Sequence, residues 1–159
     1  MEYTKVESAA FTGHRFVKYD KRQAVMQKIK DSVYRLHRKG TKNFLCGMAM
    51  GFDLMAAEGV LAMKAVCPDI HLTAVVPFKG QDFAFTESEK RRYKELLKRA
   101  DEVIVLSEKY YKGCLLRRND FMLEHSSTVI AYYDGGYKGG TFYTCKMARK
   151  GGIPIVNLY

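Results

Sequence analysis

The chain has 159 residues, 47% of them hydrophobic and 13% aromatic, enough for one domain with a substantial core and outside the range of disordered chains. No apolar run reaches the length of a membrane span, and the start, MEYTKVESAAF, lacks a basic segment followed by a long apolar stretch; no membrane partner and a cytoplasmic location are therefore expected. The net charge of +10 favours anionic partners, from nucleotides to nucleic acid.

Taken in chain order, strands and helices alternate. Residues 6–11 predict a first strand. A helix follows over 20–39, with Asp20 as a cap, Val25, Ile29, Val33 and Leu36 on one face, and Gly40 as its stop. Residues 44–46 predict the second strand, and 52–66 a helix apolar on most sides, as one buried against a sheet should be. The third strand, 70–76, ends at Pro77. Thr86-Glu-Ser-Glu89 is a capping box that opens the next helix. In that helix the basic run at 90–99 reads as a solvated outer face, because Tyr93, Leu96, Leu97 and Ala100 form the apolar stripe. Residues 102–106 predict the fourth strand, 115–125 a short helix, 128–133 the fifth strand, 141–150 the last helix and 153–158 the last strand. Pro154 suits an edge position there.

This alternation, with strands of nearly continuous apolar character, predicts a single α/β Rossmann-like domain over 1–159: a mainly parallel sheet with helices on both faces. In such a sheet, ligands bind outside the carboxyl ends of the strands. Cys46, Cys67, Cys114 and Cys145 are scattered and contain no C-x-x-C pair, so no metal site is expected and the thiols should be reduced.

Four segments belong at the carboxyl edge: FTGHR, GMAMGFD, PFKGQDF and DGGYKGGT. In NFLCGMAMGFDLMAAE, residues 43–58, a strand meets a tight glycine loop and then a helix start, an arrangement suited to a phosphate or another anion. Gly13, Gly47, Gly51, Gly139 and Gly140 could bring backbone close to a ligand, and Met48 lies inside the second loop. Arg15 can fork two oxygens of a phosphate or carboxylate, and His14 is a ligand-contact candidate in the same loop. Asp53 either complements its helix dipole or accepts from a ribose hydroxyl. Arg118 and Asn119 could reach the cleft. Thr141 could cap the last helix or hold phosphate through its hydroxyl. Neither G-x-x-x-x-G-K-[ST] nor G-x-G-x-x-G is present, which excludes an ordinary P-loop NTPase or dinucleotide dehydrogenase.

In this order, FTGHR, CGMAMGFDLMAAE, RRND and GGT resemble the SLOG superfamily, which joins the DNA-processing protein A family and the Lonely Guy phosphoribohydrolases. The nearest branch is that of the YpsA-like proteins, similar over nearly the whole chain. The resemblance implies a Rossmann-like fold and a pocket for a nucleotide or nucleotide-derived ligand, with Gly13, Arg15, Gly47, Gly51, Asp53, Arg118, Asn119, Gly139, Gly140 and Thr141 in it. The Lonely Guy enzymes carry PGGxGTxxE, whose glutamate serves hydrolysis of the N-glycosidic bond. Here Thr144 fills that position, which argues against phosphoribohydrolase activity.

The expected function is therefore binding of a phosphate-bearing small molecule, ADP-ribose-like in character, as a sensor or as a weak hydrolase or transferase. No other cofactor is expected. The alternative is a single-stranded nucleic-acid binder related to DNA-processing protein A, for which weak, non-specific contacts are expected from the charge alone. A homo-oligomer is compatible with either reading.

Overall fold

The computed structural model describes residues 2–159. Six strands form one sheet in the order β4-β3-β2-β1-β5-β6, and every neighbouring pair is parallel. The strands are β1 (Ser8–Gly13), β2 (Asn43–Cys46), β3 (His71–Val76), β4 (Glu102–Val105), β5 (Thr128–Tyr132) and β6 (Ile155–Asn157). The helices are α1 (Arg22–Arg38), α2 (Phe52–Met63), α3 (Glu87–Arg99), α4 (Cys114–Glu124) and α5 (Gly139–Lys150). This is the expected Rossmann-like architecture.

Residue alternation along the strands divides the core between the two faces. On one face Ala9, Phe11, Phe44, Leu72 and Ile130 pack with Val25, Ile29 and Val33 of α1, the apolar residues of α2, and Tyr93 and Leu96 of α3. On the other, Ala10, Leu45 and Val75 pack under Met122 of α4, while Val129 and Ala131 pack with Cys145 and Ala148 of α5. The central helix α2 is buried nearly all round, as its sequence requires. The edge strand β6 follows Pro154, whose carbonyl accepts from Val129 N–H. The Thr86–Glu89 capping box is present at the start of α3, with both reciprocal bonds formed.

Several boundaries differ from the sequence expectation, each for a local reason. Residues Lys5–Glu7 form a 3-10 turn in which Thr4 donates to the Glu7 carboxylate, so β1 begins at Ser8. The strand then runs on to Gly13, which pairs with Tyr132. Asp20 lies in a second 3-10 turn, Tyr19–Lys21, and does not cap α1. Helix α2 stops at Met63, whose carbonyl takes the N–H groups of Val66 and Cys67 in a closing turn. Helix α5 begins at Gly139, so Thr141 sits inside its first turn rather than capping it; the cap position is Lys138, whose side chain makes no capping bond.

Candidate functional site

The chain leaves β1 toward β2, β3 and β4 on one side of the sheet, then crosses through α4 to β5 on the other side of β1. The connections after β1 and β5 thus diverge, opening a crevice at the carboxyl ends of these strands. A cleft of about 430 Å³ occupies it. Its floor includes Phe11, Thr12 and Gly13 from the end of β1, and His14 and Arg15 continue the wall. Helix α4 contributes Arg118, Asn119 and Met122, and α5 contributes Gly139, Gly140 and Thr141 from its first turn.

Helix dipoles and unbonded N–H groups make this crevice favourable to anions. Helices α2, α4 and α5 all start at this edge, because each follows a parallel strand. Among the described residues, the N–H groups of Gly139, Gly140 and Thr141 have no hydrogen-bond acceptor. These are the orphan donors of a helix start, left open toward the cleft. Lys138 lies directly beside them.

The deepest charges are Arg118, only 5% exposed, and Asp53, 6% exposed. Arg118 Nη1 donates to the carbonyl of Gly47 and to that of Val75 at 3.3 Å, and Nε donates to Asn119 Oδ1 at 2.9 Å. Asp53 Oδ2 accepts the Ala49 N–H at 3.2 Å, while Oδ1 is buried without a partner among the described residues. Burial raises the Asp53 carboxyl to about 6, against the opposing pull of Arg118, the Ala49 N–H and Arg15. Burial likewise pulls the Arg118 guanidinium below its ordinary value, with Asp53 acting against the shift. Asp53 is the one carboxylate among the residues lining the cleft.

A latch joins the β1 and β5 loops. The Asp134 N–H donates to His14 Nε2 at 2.9 Å, and the Asp134 carboxylate stands 3.1 Å from the same nitrogen. Asp134 Oδ1 also accepts the Gly136 N–H at 2.9 Å. That bond, followed by His14, holds the Asp134 carboxyl below the usual carboxylate range. The rings of Tyr132, Tyr133 and Tyr159 surround His14 at 6.1–6.3 Å between centroids. This histidine both shapes the loop and faces the cleft.

Of the twelve residues singled out from sequence, nine line this cleft: Gly13, His14, Arg15, Asp53, Arg118, Asn119, Gly139, Gly140 and Thr141. Gly47, Met48 and Gly51 stand outside its wall. Gly47 is buried, and a Cβ there would lie 2.7 Å from the Arg118 guanidinium. Gly51 has φ +78°, and a Cβ there would lie 2.2 Å from the Arg15 carbonyl carbon. Both glycines admit close internal packing. Met48 is fully buried with φ +61°. The N–H of Phe52, at the start of α2, is taken by the His14 carbonyl, so this loop docks on the FTGHR loop.

Sequence reasoning passed over Leu115 and Leu116 on the α4 side of the cleft, and Lys138 at the α5 start. Lys138 sits within DGGYKGGT and was legible as a cation between two glycine pairs.

Among the described residues, no helix is long and apolar enough to cross a membrane, and no group of three or more His, Cys, Asp and Glu could hold a metal ion. Fold and cleft define a doubly wound parallel α/β domain with an anion-favouring crevice at its switch point. Within that class, the family model YpsA, described as the YspA SLOG family, matches residues 10–152, and the chain belongs to this family.

The UPF0398 protein BH1768 of Halalkalibacterium halodurans is 28% identical over 139 residues, covering 86% of this chain and 71% of that protein. The SPbeta prophage-derived protein YoqJ of Bacillus subtilis is 31% identical over 145 residues, covering 82% and 80%. Among solved structures, DNA processing protein A from Helicobacter pylori, described with its single-stranded DNA binding mode, superposes with a TM-score of 0.67 at 21% identity. The match covers 97% of this chain and 65% of that one. The X-ray structure of TM1055 superposes with a TM-score of 0.58 at 14% identity, covering 94% and 72%. At these identities, the two structures share the fold.

Proposed function

We propose that the cleft binds a nucleotide or nucleotide-derived molecule through its phosphate, as a sensor or with weak hydrolase or transferase chemistry. The observation that carries this reading is the uncapped start of α5. Its unbonded Gly139, Gly140 and Thr141 N–H groups share one crevice with Arg15, Lys138 and Arg118. Such donors gain most from an anion with several oxygens. Arg118 already serves the Gly47 and Val75 carbonyls, so the exposed Arg15 is the cation free to fork a phosphate. The volume of about 430 Å³ lies in the range of small-molecule sites. Native mass spectrometry of protein purified from cells should show a co-purified nucleotide, and calorimetry against a nucleotide panel should identify its class. No bound species and no heat from any member would overturn the reading.

The second reading is single-stranded nucleic-acid binding. It is supported by the likeness in fold to the Helicobacter protein, the net charge of +10, and exposed Tyr110 and Tyr137 near Lys138. Strand binders set aromatics along a basic groove. Here 11 of the 27 Lys and Arg residues lie on α1 and α3, on the opposite face of the sheet from α4 and α5. Titration of labelled single strands should show weak binding that fades between low and physiological salt. Tight binding that survives the salt would place this reading first.

A further inference from the structure

The cleft opens into a recess of about 270 Å³, and the two share Arg15, Ala49, Tyr110, Leu115 and Arg118. The walls peculiar to the recess are mostly aromatic and apolar: Phe78, Phe83 and Phe85, with Met50 and Ala84, and Gln81 as the one polar side chain. The Phe78 and Tyr110 rings meet edge-on at 5.4 Å between centroids, and Phe78 and Phe83 lie at 6.4 Å. Phe78 is buried, yet Phe83 is 74% exposed and Tyr110 63% exposed. Two large rings thus turn apolar surface to solvent around one concavity, and the charged residues lining it, Arg15 and Arg118, are both cations.

The presentation of Phe83 is built into the fold. It stands on a 3-10 turn, Gln81–Ala84, closed by Phe83 N–H to the Gly80 carbonyl. The buried Gln81 donates from Nε2 to the Gly47 carbonyl at 3.0 Å and accepts the Tyr93 hydroxyl at 3.3 Å. Burial holds that tyrosine up at about 12, so it stays a donor. The preceding segment is tied to the β4–α4 connection by Lys79 N–H to the Ser107 carbonyl at 3.0 Å. The exposed ring therefore sits on a base anchored to the same carbonyl that Arg118 holds.

We propose that this aromatic recess seats the base of the ligand, so that the molecule taken by the cleft is a nucleotide rather than a sugar phosphate or a polyphosphate. This rests on the anion-binding reading of the cleft. A planar base placed against Phe83 and Tyr110 covers surface that is otherwise wet, while its phosphate reaches the arginines and the α5 start next door. Stacking of this kind is tolerant of base identity.

Calorimetry with the four nucleoside monophosphates and ribose 5-phosphate tests it. The wild-type chain should bind at least one nucleotide about tenfold or more tighter than ribose 5-phosphate, the scale of base–aromatic stacking. Phe83→Ala, at an exposed position, should bring the nucleotide to the ribose 5-phosphate level without changing the latter. The chain has no tryptophan, so Phe83→Trp supplies a single reporter whose emission should respond to the nucleotide and not to ribose 5-phosphate. Equal wild-type affinity for both compounds would remove the base site and leave the anion cleft standing. Binding of neither would sink the cleft reading and the base site together.

Discussion

The guanidinium of Arg118 lies against the backbone of Gly47: Nη1 donates to the Gly47 carbonyl, and a side-chain carbon at residue 47 would stand 2.7 Å from the guanidinium carbon. The two residues are far apart in sequence, yet each defines the other's surroundings. Glycine at 47 leaves space for a buried cation, and that cation satisfies carbonyls at the ends of two neighbouring strands. Gly47→Ala should therefore destabilise the chain by about 1–3 kcal/mol through overpacking. Arg118→Met should also destabilise the chain, by about 1–3 kcal/mol for a buried carbonyl left unpaired, because it removes the donor to the Gly47 and Val75 carbonyls. Urea midpoints measured at constant m test both, and unchanged midpoints would show that the loop relaxes freely.

Asp53 should impose a pH dependence opposite in sign to that of ordinary carboxylates. Its folded value of about 6 lies above its usual 3.8, so the folded chain holds the proton more tightly. The stability this contributes is fully present below about pH 4 and is lost as pH rises through about 6. Glu7, Asp69, Asp101 and Asp134 have lowered values and act in the opposite sense, losing stability as pH falls. The contribution of Asp53 is isolated by the difference in thermal midpoint between wild type and Asp53→Asn. That difference should change in favour of the variant as pH rises from about 4 to 7. A difference independent of pH would show that Asp53 titrates normally.

Arg15 should carry binding rather than stability. Its side chain is exposed and forms no ion pair among the described residues, while its backbone packs against Gly51. Arg15→Ala should weaken nucleotide binding by about 1.5–3 kcal/mol, the worth of a hydrogen bond to a charged group. Its unfolding midpoint should stay near that of wild type. Calorimetry and a melting curve on one preparation separate the two effects, and unchanged affinity would remove Arg15 from the site.

Release of base from adenosine monophosphate at the Lonely Guy level should be absent. A positioned acid or base typically supplies about 10²–10⁴-fold in rate. Thr144, at the position of the family glutamate, is 1% exposed, and its hydroxyl is buried without a partner among the described residues. It does not line the cleft. Chromatography of the reaction mixture is the measurement. Robust turnover would require another acid, and Asp53 is the carboxylate in place to supply it.

The alternation of strands and helices, the parallel sheet and the existence of a glycine- and arginine-bearing edge were legible in the sequence. These follow from local periodicity and from glycines directly behind strands, which depend on neighbours a few residues away. Which glycines line the cleft was decided only in three dimensions. Gly47 and Gly51 look like Gly139 and Gly140 in sequence, but Arg118 and the Arg15 backbone occupy the space beside the first two, while the α5 start remains open. The partnership of Asp53 with Arg118, and of Phe83 with Tyr110 around one recess, likewise joins residues from separate βα connections. Packing across distant segments sets such contacts, and no local pattern encodes it, because a side chain's surroundings are determined by where the sheet order brings other loops.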